Sequence, residues 1–134
     1  MTDSKLFLDS SVWLGYFLGN LPEAKNIVDS QENILLTSII SIHEICKRLK
    51  TLGKTEKETG SAIRFIEDNS IIVNLNKEIA INAVNCCAKY KLHTIDSLIY
   101  SSARAMETIF VTADSDFKET PKTKIIAAPN RGSA

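Results

Sequence analysis

Short apolar runs alternate with longer stretches of helical periodicity from one end of the chain to the other. "KLFLD" (5–9) is an apolar run that stops on an acid and reads as a buried strand. "SSVWLGYFLG" follows with helical spacing: Val12, Trp13, Tyr16 and Phe17 fall near one face, and Gly19 closes the segment. Pro22, a residue suited to a first helical turn, opens "LPEAKNIVDS". "NILLT" (33–37) predicts a second strand, and a helix from about Ser38 to Leu52 follows it. The polar "GKTEKETGS", bounded by Gly53 and Gly60, reads as a hinge whose middle can already be helical. After it come helical "SAIRFIEDN" and a third strand in "SIIVNL" (70–75). In "NKEIAINAVNCCAKYKL" Ile79, Ala83, Cys86 or Cys87, and Tyr90 recur every three or four residues, a helical pattern. Thr94 is placed to N-cap the next helix, "IDSLIYSSARAM". "TIFVT" (108–112) and "KIIAA" (124–128) supply a fourth and a fifth strand.

Strands alternating with helices imply parallel pairing through right-handed crossovers. The expected fold is therefore α/β, a three-layer α/β/α sandwich around a mostly parallel sheet of about five strands. One domain over residues 1–128 accounts for the pattern, and the closing residues 129–134, "PNRGSA", read as a tail, of vector origin in its "NRGSA" part. Ligands of such sheets sit beyond the C-terminal strand ends, where strand order reverses. Asp9 ends the first strand and Asp114 lies just past the fourth, so neighbouring strands would bring both acids to one crevice.

Composition narrows the function. Hydrophobic residues at 44% and charged residues at 24% fit a globular domain, so neither disorder nor a fibrous class is indicated. No apolar run is long enough to span a bilayer, and the N-terminal "MTDSKLFLDSS" lacks the basic and apolar regions of a signal peptide, which makes the cytoplasm the expected location. Three cysteines without a C-x-x-C, and two separated histidines, argue against zinc. Sixteen basic and sixteen acidic residues balance, which argues against coating nucleic acid by bulk charge but not against holding one phosphodiester with metal ions.

Each candidate acid has a plain structural explanation and a chemical one. Asp9 can cap the helix after it. Asp114 and Asp116, in "VTADSDF", can form an ordinary turn. Glu44 lies outside the apolar arc of Ile42, Ile45, Leu49, Leu52 and Cys46, where Arg48 at i+4 would be its surface partner. Asp96 falls between Ala103 and Tyr100, at the edge of its helix's buried face. Its place in the first turn suits the helix dipole, yet desolvation of a carboxylate costs more than the dipole returns, and no basic residue is placed to pair with it. A bound cation would resolve that conflict.

The ordered set "FLDSSVWLGYF", "SIISIHEICKRL", "HTIDSLIYSSA" and "VTADSDF" resembles the PIN domain, in particular the small stand-alone toxins of the VapC-like group. The resemblance spans Lys5 to about Ala127. It matches Asp9, Glu44, Asp96 and Asp114 to the family's acidic positions, with Ser10 and Ser11 after the first and Thr112 and Phe117 around the last. Asp116 falls where a further acid is frequent. No single motif is specific; four in order, each at the right element, are.

What the resemblance implies is an endoribonuclease that hydrolyses RNA phosphodiesters with Mg²⁺ or, in its place, Mn²⁺. Asp9, Asp96 and Asp114 would be ligands, Glu44 a ligand through water or the base, and Asp116 a further ligand. It also implies a cognate antitoxin and a homodimer. Lys47, Arg48, Lys50, Lys54, Lys57, Lys89 and Lys91 are candidates for RNA contact or for a solvated face. Trp13, Tyr16, Phe17 and Leu21 either pack in the core or line a groove for an antitoxin helix, with core packing the plainer account of Trp13. Two rival functions stand beside this one: an RNA-processing nuclease without an antitoxin, and a non-catalytic α/β binding module. A receiver-like module fits poorly because "SIIVNL" ends without its acceptor Asp, and a dehalogenase-like phosphatase fits poorly because Ser11 replaces the second acid of D-x-D.

Overall fold

A computed structural model describes residues 4–127; the expected tail at 129–134 lies outside them. Five strands, β1 (Ser4–Leu8), β2 (Asn33–Ser38), β3 (Ile71–Val73), β4 (Ile109–Thr112) and β5 (Thr123–Ile125), form one sheet in the order β3-β2-β1-β4-β5. Every pairing is parallel. The chain builds outward from β1 in one direction through β2 and β3, then returns to the other side of β1 with β4. Strand order thus reverses between β1 and β4, where Leu8 is in register with Val111. That adjacency is what the convergence of Asp9 and Asp114 required.

Six helices cover the sheet: α1 (Ser10–Leu18), α2 (Pro22–Asp29), α3 (Ile39–Thr51), α4 (Glu56–Asn69), α5 (Lys77–Tyr90) and α6 (Thr94–Ala105). Successive strand residues point to opposite faces, and β1 feeds both. Leu8 joins Val12, Trp13, Ile45, Leu49 and Ile66 on one side. Phe7 joins Val73, Ile99, Tyr100, Phe110 and Phe117 on the other. The molecule is the expected three-layer sandwich. Among the described residues no helix is long and apolar enough to cross a membrane.

Local signals set most boundaries. Gly19 takes φ +69° and closes α1, its N–H meeting the Tyr16 carbonyl at 3.2 Å. Ser38 Oγ accepts from the Ile40 N–H at 3.1 Å and starts α3. Two expectations need correction. The hinge after Gly53 is shorter than "GKTEKETGS", because Thr55 and Glu58 form a reciprocal capping box that starts α4 at Glu56, and the helix continues through Gly60. Thr94 is the first residue of α6 and not its cap; His93 holds that position with no side-chain cap bond.

Candidate metal centre

The Asp9 N–H donates to the Val111 carbonyl at 2.9 Å, which ties the end of β1 to β4. Asp9 is the N-cap residue of α1, yet its side chain caps nothing. Its Oδ2 instead accepts from Ser11 Oγ at 2.9 Å and from Thr112 Oγ1 at 2.7 Å. Both hydroxyls are themselves fixed, Ser11 Oγ by the Ala113 N–H and Thr112 Oγ1 by the Asp114 N–H. The capping explanation of Asp9 therefore fails. Two strand ends and a helix start cooperate to hold one buried carboxylate oxygen, leaving Oδ1 without a partner among the described residues.

Glu44, half-buried on α3, does not pair with Arg48. Its Oε1 accepts from Ser10 Oγ at 2.9 Å, which turns it toward the start of α1. Asp96, half-buried in the first turn of α6, has no ion pair among the described residues, where the sole salt bridge joins Lys25 to Asp29. Asp114 does form the turn that its sequence suggests, since Oδ1 accepts from the Asp116 N–H at 2.8 Å. The turn also serves the cluster: Asp96, Asp114 and Asp116 each offer a carboxylate oxygen, and these atoms lie within 4.8 Å of one another.

Electrostatics link the remaining members. Burial pushes the Asp9 carboxyl from 3.8 up to about 6; the Thr112 and Ser11 hydroxyls oppose the rise, and the charges of Glu44 and Asp96 add to it. Asp96 is likewise pushed up to about 6, first by burial, then by Asp114, Glu44 and Asp116, with His93 opposing. Asp96 is thus the hub, feeling Glu44 on one side and the Asp114–Asp116 turn on the other. Of the five acids singled out in the sequence, Asp96, Asp114 and Asp116 form the close group; Asp9 and Glu44 lie outside it, Asp9 feeling the charges of Glu44 and Asp96, and Asp96 that of Glu44. The Ser10–Glu44 bond, spanning 34 positions, has no local sequence signal. His93 was visible only as an isolated histidine.

Carboxylates collected in a half-buried crevice repel one another unless a cation sits among them. The donors are hard oxygens, several with a free lone pair, and no basic side chain is paired to them among the described residues. This chemistry fits Mg²⁺ or Mn²⁺ and does not fit a soft-ligand metal.

Comparison with known proteins agrees with the geometry. A sequence model of the PIN domain matches residues 6–123. No curated protein matches the chain in sequence. Among solved structures, a toxin–antitoxin complex from Klebsiella pneumoniae is similar at 24% identity and a TM-score of 0.73, with 90% of this chain and 96% of that one covered. VapBC2 from Rickettsia felis, bound to a DNA fragment from its promoter, is similar at 16% identity and a TM-score of 0.73, covering 92% and 97%. VapC20 from Mycobacterium tuberculosis, a sarcin–ricin loop cleaving toxin, is similar at 13% identity and a TM-score of 0.72, covering 93% and 99%. At these identities the solved structures speak for the fold. The matched segment runs from β1 into β5 and takes in every acid of the cluster, so the chain belongs to the PIN domain family.

Proposed function

We propose that this protein is a metal-dependent endoribonuclease acting as the toxin of a type II toxin–antitoxin pair. One observation carries the proposal: Asp96, Asp114 and Asp116 bring carboxylate oxygens within 4.8 Å of one another, Glu44 and Asp96 act by charge on the buried Asp9, and no basic side chain pairs with these acids among the described residues. Family membership supports nuclease chemistry. The toxin–antitoxin complexes among similar structures, and the sarcin–ricin loop cleaving toxin, support the biological role and the nuclease reading.

Asp9, Asp96 and Asp114 would hold the ion, with Asp116 as a further ligand. Mg²⁺ or Mn²⁺ bound there would neutralise charge on the phosphate and make an attacking water more acidic. Ser11 and Thr112 fix the Asp9 carboxylate, so it needs no reordering to bind a cation. Glu44, with Oε1 occupied by Ser10, keeps Oε2 to accept a proton from that water or to ligate through it. Asp114 is anchored by its turn, Oδ1 accepting from the Asp116 N–H.

The antitoxin's place is the groove of about 540 Å³ between α1, α3 and α4, lined by Tyr16, Phe17, Leu49 and Phe65. Tyr16 stacks on Phe65 with ring centroids 5.4 Å apart, a preformed apolar floor, and Lys54 and Lys57 stand at its rim. Trp13 is not part of it: it is fully buried, and its Nε1 donates to Thr37 Oγ1 at 3.1 Å. Leu21 is buried as well. A homodimer through helices is in keeping with the exposed Ile81 and Val84 on α5. Residues 1–128 as a single domain and a cytoplasmic location complete the proposal.

The test is incubation with structured RNA, with and without Mn²⁺. Cleavage should need the metal and vanish in Asp96→Asn. Metal-independent cleavage, or full activity in that variant, would defeat the assignment.

A further inference from the structure

Arg48 stands four residues after Glu44 on α3, the spacing at which an acid and a base ordinarily pair. The pair is not made. Glu44 is taken by Ser10, and Arg48 makes no ion pair and no side-chain hydrogen bond among the described residues. The charges acting on Asp96 are Asp114, Glu44, Asp116 and His93, so the Arg48 guanidinium lies outside the immediate reach of that carboxylate.

Two surface grooves flank the acid cluster. One, of about 480 Å³, follows Ser10, Ile40, His43, Glu44, Lys47 and Ile95. The other, of about 810 Å³, follows Ser11, Leu18, Asn20, Ala113 and Asp114. Leu14 and Arg48 line both and form the saddle between them. Each groove touches the cluster, the first at Glu44 and the second at Asp114. A polyanion approaching these acids is repelled by them, and the saddle offers it a guanidinium that no protein group has claimed. The walls beside that charge are aliphatic, Leu14, Leu18, Ile40 and Ile95, with Leu18 and Ile95 exposed. Unstacked bases have apolar faces to lay on such walls; a duplex keeps its bases inside and leaves them unused.

We propose that Arg48 binds the phosphate next to the one being cut, on a single-stranded segment that crosses the Leu14–Arg48 saddle from one groove into the other. This rests on the nuclease reading above. Arg48 then acts in substrate binding, and Lys47 extends the positive side of the first groove.

The experiment measures cleavage of a labelled single-stranded RNA of mixed sequence by the full chain in Mn²⁺, and its binding by anisotropy in Ca²⁺. Arg48→Ala should raise KM and weaken binding about 10- to 100-fold, the range for a hydrogen bond to a charged group. Its kcat should stay within about threefold, because the contact is equal in ground and transition states. The slope of log affinity against log salt should fall by about 0.7, one single-strand phosphate contact. Arg48→Lys should recover part of the affinity as a point charge without the fork. Lys5→Ala, one exposed cation removed from β1 at the strand end opposite the acids, should change none of these. An unchanged KM and salt slope in Arg48→Ala, with the wild type active, overturns the Arg48 assignment and leaves the nuclease reading intact. An equal loss in Lys5→Ala overturns it in favour of bulk charge. A wild type that neither binds nor cleaves RNA removes the nuclease reading and this inference together.

Discussion

Replacing Asp9 by Asn should stabilise the metal-free protein while abolishing its activity. Asp9 is 5% exposed, so water does little to relieve its charge. Its pKa is raised from 3.8 to about 6 in the fold, chiefly by burial. A raised carboxyl pKa means that the folded state binds the proton more tightly than the unfolded chain. Stability is therefore lost as pH climbs from about 4 to about 6 and stays lost above that. At about 1.4 kcal/mol per pKa unit, the ionised carboxylate costs about 3 kcal/mol at pH 7.5 and only about 1 kcal/mol at pH 4.5. Asparagine removes the charge and keeps the geometry, because Ser11 and Thr112 both donate to one oxygen, Oδ2, which the amide oxygen can replace. The neighbouring Asp96 also loses a repulsive charge. The expected gain at pH 7.5 in EDTA is about 2–3 kcal/mol, or roughly 10 °C in Tm for a domain of this size. Urea unfolding at both pH values measures it, and the gain should shrink at pH 4.5. Saturating Mn²⁺ should raise the wild type's Tm and leave the variant's nearly unchanged. An Asp9→Asn protein no more stable than wild type at pH 7.5 in EDTA would refute the reasoning, since the carboxylate would then carry no electrostatic penalty for a cation to relieve.

Other substitutions separate the site from its scaffold. Thr112→Val removes the donor that most lowers the Asp9 pKa and orphans the Asp114 N–H, so the acid limb of the pH–rate profile should move up by about one unit and activity at pH 7 should fall. An unshifted profile would mean that Thr112 does not tune Asp9. Gly15→Ala places a methyl 2.6 Å from Leu21 Cβ, an overlap costing about 1–3 kcal/mol against a helix-propensity gain of up to about 1. Chemical denaturation should show net destabilisation. Trp13→Phe deletes the bond to Thr37 and leaves a void in the first core cluster, for about 1–3 kcal/mol of lost stability and no change in metal affinity, readable by calorimetry.

The sandwich was legible because each strand is a short apolar run and each helix has its own stripe, signals that survive without tertiary information. Strand order was not: nothing local in "KLFLD" and "TIFVT" says that β1 and β4 are neighbours, and their adjacency stood as a condition until the sheet order met it. The acids were legible as a set by resemblance, while their individual roles were hidden. Asp9 looks like a cap and sits where a cap sits, but its side chain is claimed by hydroxyls two and 103 positions away. Glu44 looks paired with Arg48, and a serine 34 positions earlier takes it instead. Gly60 suggested the end of a hinge; it is tolerated inside α4 because the Thr55–Glu58 box nucleates the helix upstream and its own position faces open space.

The most direct test is a crystal grown in Mn²⁺ with anomalous data collected near the manganese edge. A peak among Asp9, Asp96 and Asp114, with carboxylate oxygens about 2.1 Å away or one water removed, is the predicted result. An empty crevice at saturating Mn²⁺, or a manganese bound elsewhere while the protein still cleaves RNA, would contradict it.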